Sequence, residues 1–288
     1  MIETILNVVI GGLLIGGIYA LIAMGLSLQY GVARVLNIAH GEFIMLGAFI
    51  TFWLYSSGIS PLLSIFIVAP ITFILGFILY RTIFTSIRIK APNTGAFEGS
   101  SMLAAFGLLY IVQNVAIIIW GTTLKSYQYL GSGINIGGAQ FAANRVVTAA
   151  FAVAIGLAFY FFLARTRIGK AIRAAAQDPS TAGLMGVDIN FVLALCFGLG
   201  AAMAGVAGSL LSMCYSINTS MGLSYTVIAI VVVVFGGLGS IPGSFIGGFI
   251  MGLIGSIVSY WQPGLAVAAY YLIFVVLLLI RPKGIMGN

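Results

Sequence analysis

VLNIAHGEFIMLGAFI (residues 35–50) decides how this chain is to be read. Its second half is almost wholly apolar, yet its first half holds Asn37, the sole histidine His40, and Glu42, one of only five acidic residues. In a soluble protein this is an ordinary helix entry. At the mouth of a membrane span the same residues are costly to bury and point to function. The residues on either side settle which setting applies.

Of the 288 residues, 61% are hydrophobic and 6% charged, and the mean hydropathy is +1.19. A soluble domain carries about a quarter charged residues, so the chain reads as an integral membrane protein. Phe43 to Tyr80 and Ile189 to Ile280 carry no formal charge, and each run exceeds the ~20 apolar residues needed for a helical span. The apolar blocks are not short alternating segments of a barrel, which makes the class all-α. The N-terminal run lacks a basic leader and is longer than a signal-peptide core, so it reads as the first span. A net charge of +7 would suggest nucleic acid in a soluble protein. Here it is the positive-inside signature, with the bilayer as partner and no nucleic acid.

Breaks at charges, Pro and Gly place spans near 4–30, 40–57, 61–81, 100–120, 145–164, 190–214, 224–238, 241–260 and 264–280. The seventh is short, which leaves a polytopic bundle of about eight to ten spans. Arg34, the group Arg81, Arg88 and Lys90, the group Arg165, Arg167, Lys170 and Arg173, and Arg281 with Lys283 belong on the cytoplasmic side. With nine crossings the N-terminus is outside, and Asn37, His40 and Glu42 lie on the cytoplasmic side. Linker 81–100 separates two spans, and linker 121–144 folds over the outer mouth. Linker 165–190 reads as a short Ala-rich helix, a stop at Asp178-Pro179, and a second short helix with Ala182, Leu184 and Met185. That is longer than a bare connection and suits a docking element.

GEFIMLGAFI (41–50) and GSFIGGFI (243–250) form an internal repeat, each just after a break. The chain therefore reads as a single transmembrane domain over 1–288 with related halves at about 1–120 and 145–281. Paired interrupted segments mark a translocation path. Asn37, His40 and Glu42 have two readings, a capped helix end at the interface and a broken helix facing a polar cavity, and both stand. Gly236, Gly237, Gly239, Ser240 and Pro242 form a flexible break of the half-helix type. Small residues four apart, Gly12 with Gly16 and Gly243 with Gly247, favour close helix packing.

No HExxH, GxSxG or Walker A motif occurs, so no catalytic residue is assigned, and Cys196 and Cys214 belong to no metal-ligand cluster. The acids fall at helix ends or linkers, which argues for an energy source outside this chain. The rival of another class is a secondary carrier or channel working alone.

Three stretches, LNIAHGEFIMLGAF, ARTRIGKAIRAAAQDPSTAGLMGVD and FGGLGSIPGSFIGG, resemble the permease subunits of ABC importers for branched-chain amino acids, specifically the shorter, LivH-type permease. They fall early, mid and late, so the resemblance covers nearly the whole chain. It implies a type II importer fold in a prokaryotic cytoplasmic (inner) membrane. The implied partners are a second, LivM-like permease or a second copy, two cytoplasmic ATPases that hold ATP-Mg, and an external substrate-binding protein. The chain itself binds no cofactor on this view. Residues 165–190 become the coupling loop, with Arg173, Gln177, Asp178 and Pro179 as ATPase contacts. Urea or short amides are the alternative solute, because related permeases look alike across these solutes and selection rests with the binding protein; linker 81–100 departs most from the family's usual reading.

Overall fold

The computed structural model describes residues 2–136, 139–281 and 284–286. Lys283, expected among the cytoplasmic basic residues, lies outside them. Twelve α-helices follow in order among the described residues: α1 (Ile2–Ala33), α2 (His40–Ser56), α3 (Pro61–Leu79), α4 (Thr85–Lys90), α5 (Thr94–Trp120), α6 (Ala143–Arg165), α7 (Arg167–Gln177), α8 (Pro179–Leu184), α9 (Ile189–Ser212), α10 (Met221–Gly236), α11 (Ile241–Trp261) and α12 (Ala266–Ile280). Seven helical segments among the described residues are long and apolar enough to cross a membrane. Two further helices are shorter, α2 with 17 residues and the apolar α10 with 16.

Linker 81–100 is largely helical, which departs from the sequence reading. One π-type turn at Tyr80–Phe84 carries α3 directly into α4. The chain breaks only around Ala91–Asn93, where the Asn93 side chain accepts the Ala96 N–H at 2.8 Å and starts α5. Phe97 and Glu98 thus lie near the start of a 27-residue helix.

α9 forms the centre of the bundle and is mostly buried, whereas α12 exposes nearly all of its surface. Glycines set the closest approaches. A Cβ on Gly12 or Gly16 would lie 2.8 Å from the Cα of Leu253 or Phe249 on α11, so the packing reading of that pair holds. Gly47 of α2 lies against the Gly205 backbone, and the Thr51 hydroxyl donates to Ser209 at 2.7 Å. Such approach is what small residues allow between membrane helices.

The ends of α1, α4, α6 and α12, the α10–α11 turn and the α7–α8 pair gather on one face. Gly31 touches Gly239, and the Ile285 and Met286 N–H groups donate to Phe235 and Gly236. Among described basic residues, only Lys125 and Arg145 belong to the opposite, outer end, so the positive-inside rule makes the gathered face cytoplasmic. Outside, the described residues of linker 121–144 pack back onto the bundle. A hairpin pairs β1 (Gly133–Ile136) with β2 (Ala139–Ala142). Lys125 bridges Ile217 through backbone hydrogen bonds, and Tyr127 stacks on Tyr55 at 4.5 Å.

Candidate functional site: two helix starts inside the bundle

α1 ends at Ala33, and Arg34 takes a left-handed backbone with φ 54°, an uncommon conformation for a non-glycine residue. The chain then turns back into the bundle without helix until His40. Three contacts fix the depth of that point. The His40 Nε2 lies 3.1 Å from the Ile22 carbonyl oxygen, the Gly41 N–H donates to the Thr226 hydroxyl at 2.8 Å, and Ala39 packs against Leu108 and Leu109 in the middle of α5. At 1.5 Å per residue, Ile22 and Thr226 lie about 15 Å from the cytoplasmic ends of α1 and α10, half of a ~30 Å hydrocarbon layer. α2 therefore starts near mid-membrane. This corrects the expectation that Asn37, His40 and Glu42 lie on the cytoplasmic side. A sequence cannot show that a helix begins deep when the non-helical stretch before it is as apolar as Val35-Leu36.

α10 also starts within the bundle and runs the opposite way, so the N-termini of α2 and α10 meet. Glu42, in the first turn of α2, lies against Gly222, in the first turn of α10. A Cβ on Gly222 would sit 2.9 Å from Glu42 Oε2 and closer to Oε1. Glu42 is 1% exposed, and neither carboxylate oxygen has a hydrogen-bond partner among the described residues. The positive ends of two helix dipoles converge on this carboxylate, which is the electrostatic setting that tolerates a buried acid.

Next to it runs a polar network. The Gln29 Nε2 donates to the Phe197 carbonyl at 3.0 Å, and its Oε1 accepts from Asn37 Nδ2 at 3.2 Å and faces His40 Nδ1 at 3.2 Å. All three side chains are fully buried. Gln29 and Thr226 escaped the sequence reading. Gln29 stands beside Ser27 in an otherwise apolar run, and its i+8 spacing to Asn37 matches no motif.

The second set of path residues lies apart from the first. Gly237 and Gly239 take φ of 106° and 82° in the tight turn between α10 and α11, and Ser240 caps α11 by accepting the Gly243 N–H at 3.2 Å, with Pro242 in its first turn. This break sits at the cytoplasmic end rather than mid-membrane. Gly239, Ser240 and Pro242 line a cavity of about 410 Å³ together with Ser27, Tyr160 and Arg173. The Arg173 guanidinium donates to the Leu163 carbonyl at the end of α6. Arg173 and the Gly239, Ser240 and Pro242 of the α10–α11 turn thus share a cavity, whereas Asn37, His40 and Glu42 lie elsewhere.

Residues 165–190 have the expected form of two short helices broken at Asp178. Asp178 caps α8, accepting the Ser180 and Thr181 N–H groups at 2.9 and 3.2 Å. Hydrogen bonds from the Ser180 and Thr181 side chains hold its carboxyl down at about 2. Gln177, Asp178 and Pro179 are exposed, and beyond them Leu184 and Met185 are 89% and 82% exposed.

Residues 8–281 match the family described as branched-chain amino acid transport system / permease component. The chain is 32% identical over 304 residues to the high-affinity branched-chain amino acid transport system permease protein BraD of Pseudomonas aeruginosa, covering 98% of this chain and 96% of BraD. It is 32% identical over 292 residues to the permease protein LivH of Salmonella typhimurium, covering 96% and 94%. The probable LivH of Methanocaldococcus jannaschii is 27% identical over 292 residues, with 96% and 91% covered. Among solved structures, PsaBC from Streptococcus pneumoniae in complex with Fab superposes with a TM-score of 0.51 at 16% identity, over 98% of this chain and 97% of that one, a likeness of fold. An all-helical bundle with seven segments long enough to cross a membrane, matched along its length by these relatives, belongs to the branched-chain amino acid permease-component family of ABC transport systems.

Proposed function

We propose that this chain is the transmembrane subunit of an ABC importer and carries branched-chain amino acids into the cytoplasm past the meeting point of α2 and α10. The observation that carries the reading is Glu42, a buried carboxylate without a hydrogen-bond partner among the described residues, held where two helix starts converge. A zwitterionic amino acid brings an ammonium that this carboxylate attracts. Urea brings none. On this reading Asn37 and His40 line or shape the upper path, and Gly236, Gly237, Gly239, Ser240 and Pro242 form its cytoplasmic gate.

ATP-Mg is held by two cytoplasmic ATPase subunits, on which Arg173, Gln177, Asp178 and Pro179 dock. The exposed Leu184 and Met185 supply apolar contact there, as knobs for a groove. A second permease, of the longer type or another copy, completes the path. A substrate-binding protein docks on the outer face formed by residues 121–142. The two halves, about 1–120 and 145–281, move against each other when the ATPases close.

The test is uptake by the assembled transporter in vesicles with ATP inside. Glu42→Gln is expected to cut leucine uptake roughly tenfold or more, as loss of a charge-assisted contact implies, while ATPase subunits still co-purify. Unchanged leucine uptake by Glu42→Gln overturns the path assignment. Gradient-driven uptake by this chain alone overturns the importer reading, and competition by urea but not leucine overturns the solute.

A further inference from the structure

On the cytoplasmic face a second cavity, of about 240 Å³, opens between the end of α1, the α4–α5 break and the start of α8. Arg34, Arg88, Asn93, Thr94, Phe97 and Pro179 are among the residues that line it, and no acidic residue does. Arg88 lies beside the Tyr80 hydroxyl, yet its Nη1 is buried and has no hydrogen-bond acceptor among the described residues. A buried guanidinium nitrogen left without an acceptor is costly. The transport reading does not use it.

The rest of the cavity has the same sign. Arg34 reaches it from the left-handed residue that ends α1, and α5 begins in its wall, with the positive end of a 27-residue helix at Thr94. Thr94 adds a hydroxyl, while the Asn93 side chain is already engaged in capping Ala96. Two arginines, a threonine and a helix start around one small cavity offer the kind of donor set that suits a tetrahedral oxyanion. A carboxylate would engage one arginine in a plane, whereas a phosphate offers several oxygens to donors arriving from three elements. Phe97 and Leu193 give one wall an apolar surface, which suits the ester side of a phosphate diester.

We propose that this cavity is a binding site for a phosphate group, carried by an anionic phospholipid of the inner leaflet or by a soluble phosphate. The bound group bridges Arg34, just past the end of α1, and Arg88 on α4 and lies against Pro179, and so fastens the first turn of α8 to the bundle. The site does not depend on the identity of the transported solute.

The full chain, purified in mild detergent, is offered phosphatidylglycerol and phosphatidylcholine in equal amounts, and retained lipid is read by native mass spectrometry. The unfolding temperature is read in parallel with inorganic phosphate added at constant ionic strength. The wild-type chain is expected to retain phosphatidylglycerol over phosphatidylcholine, or to be stabilised by phosphate against a chloride control. The Arg34→Gln/Arg88→Gln pair is expected to lose that response roughly tenfold or more, while Arg167→Gln/Lys170→Gln on the same face keeps it. Lipid selectivity without a phosphate effect identifies the lipid as the source, and the reverse identifies soluble phosphate. Equal loss in both double variants, or an unchanged response in the Arg34/Arg88 pair, overturns the site. If the glutamine pair does not fold, the wild-type measurement decides alone, because equal retention of both lipids with no effect of phosphate also overturns it.

Discussion

The Thr226 hydroxyl accepts the Gly41 N–H at 2.8 Å and lies 3.0 Å from the Ile38 carbonyl oxygen, so one side chain of α10 holds both sides of the break that starts α2. Thr226→Val keeps the shape and removes both partners, leaving a buried N–H unpaired at a cost of about 1–3 kcal/mol. Thr226→Ser keeps the hydroxyl. Unfolding in detergent is expected to separate the two variants by that amount.

The contact between α2 and α9 depends on hydrogen atoms where other residues carry side chains. A Cβ on Gly47 meets the Gly205 backbone, and one on Gly208 meets the Ile44 carbonyl. Gly47→Val is expected to destabilise the bundle by roughly 1–3 kcal/mol or more, the usual range for overpacking. Gly107, whose added Cβ meets nothing within 4 Å, is the matched control. A comparison of their unfolding temperatures checks this.

Gln29 touches both Asn37 and His40, and residues that share a network lose stability non-additively. Gln29→Leu and His40→Leu, measured singly and together, are expected to show a coupling of roughly 0.5–3 kcal/mol. Additive losses would mean that the two side chains act separately.

Asp178 offers a way to separate helix capping from docking. Asp178→Asn retains a good cap without the charge, and Asp178→Lys removes both. On the docking reading, solute-stimulated ATP hydrolysis falls with Lys while the chain still inserts. The intermediate behaviour of Asn shows how much rests on charge. Normal stimulated turnover in Asp178→Lys would sink the docking role. The pH dependence follows from the lowered carboxyl. Because the folded value, about 2, lies below the ordinary 3.8, the cap is fully present above pH ~4 and is lost as pH falls toward 2. Hydrogen exchange at the Ser180 and Thr181 amides is expected to be flat from pH 8 to 5, once corrected for intrinsic rate, and to lose protection only in acid.

Much of the architecture was legible in the chain because apolar runs and basic linkers are local signals, whereas the cap expected of Asn37 is not made: Ala39 stands at the N-cap of α2 and the Asn37 amide donates to Gln29. Ser60, Asn93, Thr166, Asp178, Asp188 and Ser240 each accept an N–H from the first turn of the following helix. Asp178-Pro179 marked the break in the coupling loop for the same reason. The depth of His40 was not legible, because it depends on Ile22, Leu108 and Thr226, residues that no sequence spacing connects to it. The same reason hid Gln29. Its importance comes from the Phe197 carbonyl, 168 positions away. Arg34 and Arg88 were read only as orientation signals, since nothing in their spacing shows that they share a cavity with Pro179.

The interior start of α2 also has a consequence for biogenesis. The membrane insertion machinery meets residues 34–56 long before α9 and α10 have been synthesised. Until they arrive, the Gly41 N–H, Gln29 and the Glu42 carboxylate lack the groups that shelter them. α1 likewise waits for its glycine-lined partner α11, near the end of the chain. The N-terminal third thus gains its full set of packing partners only once the C-terminal part of the chain, which holds α9, α10 and α11, is present.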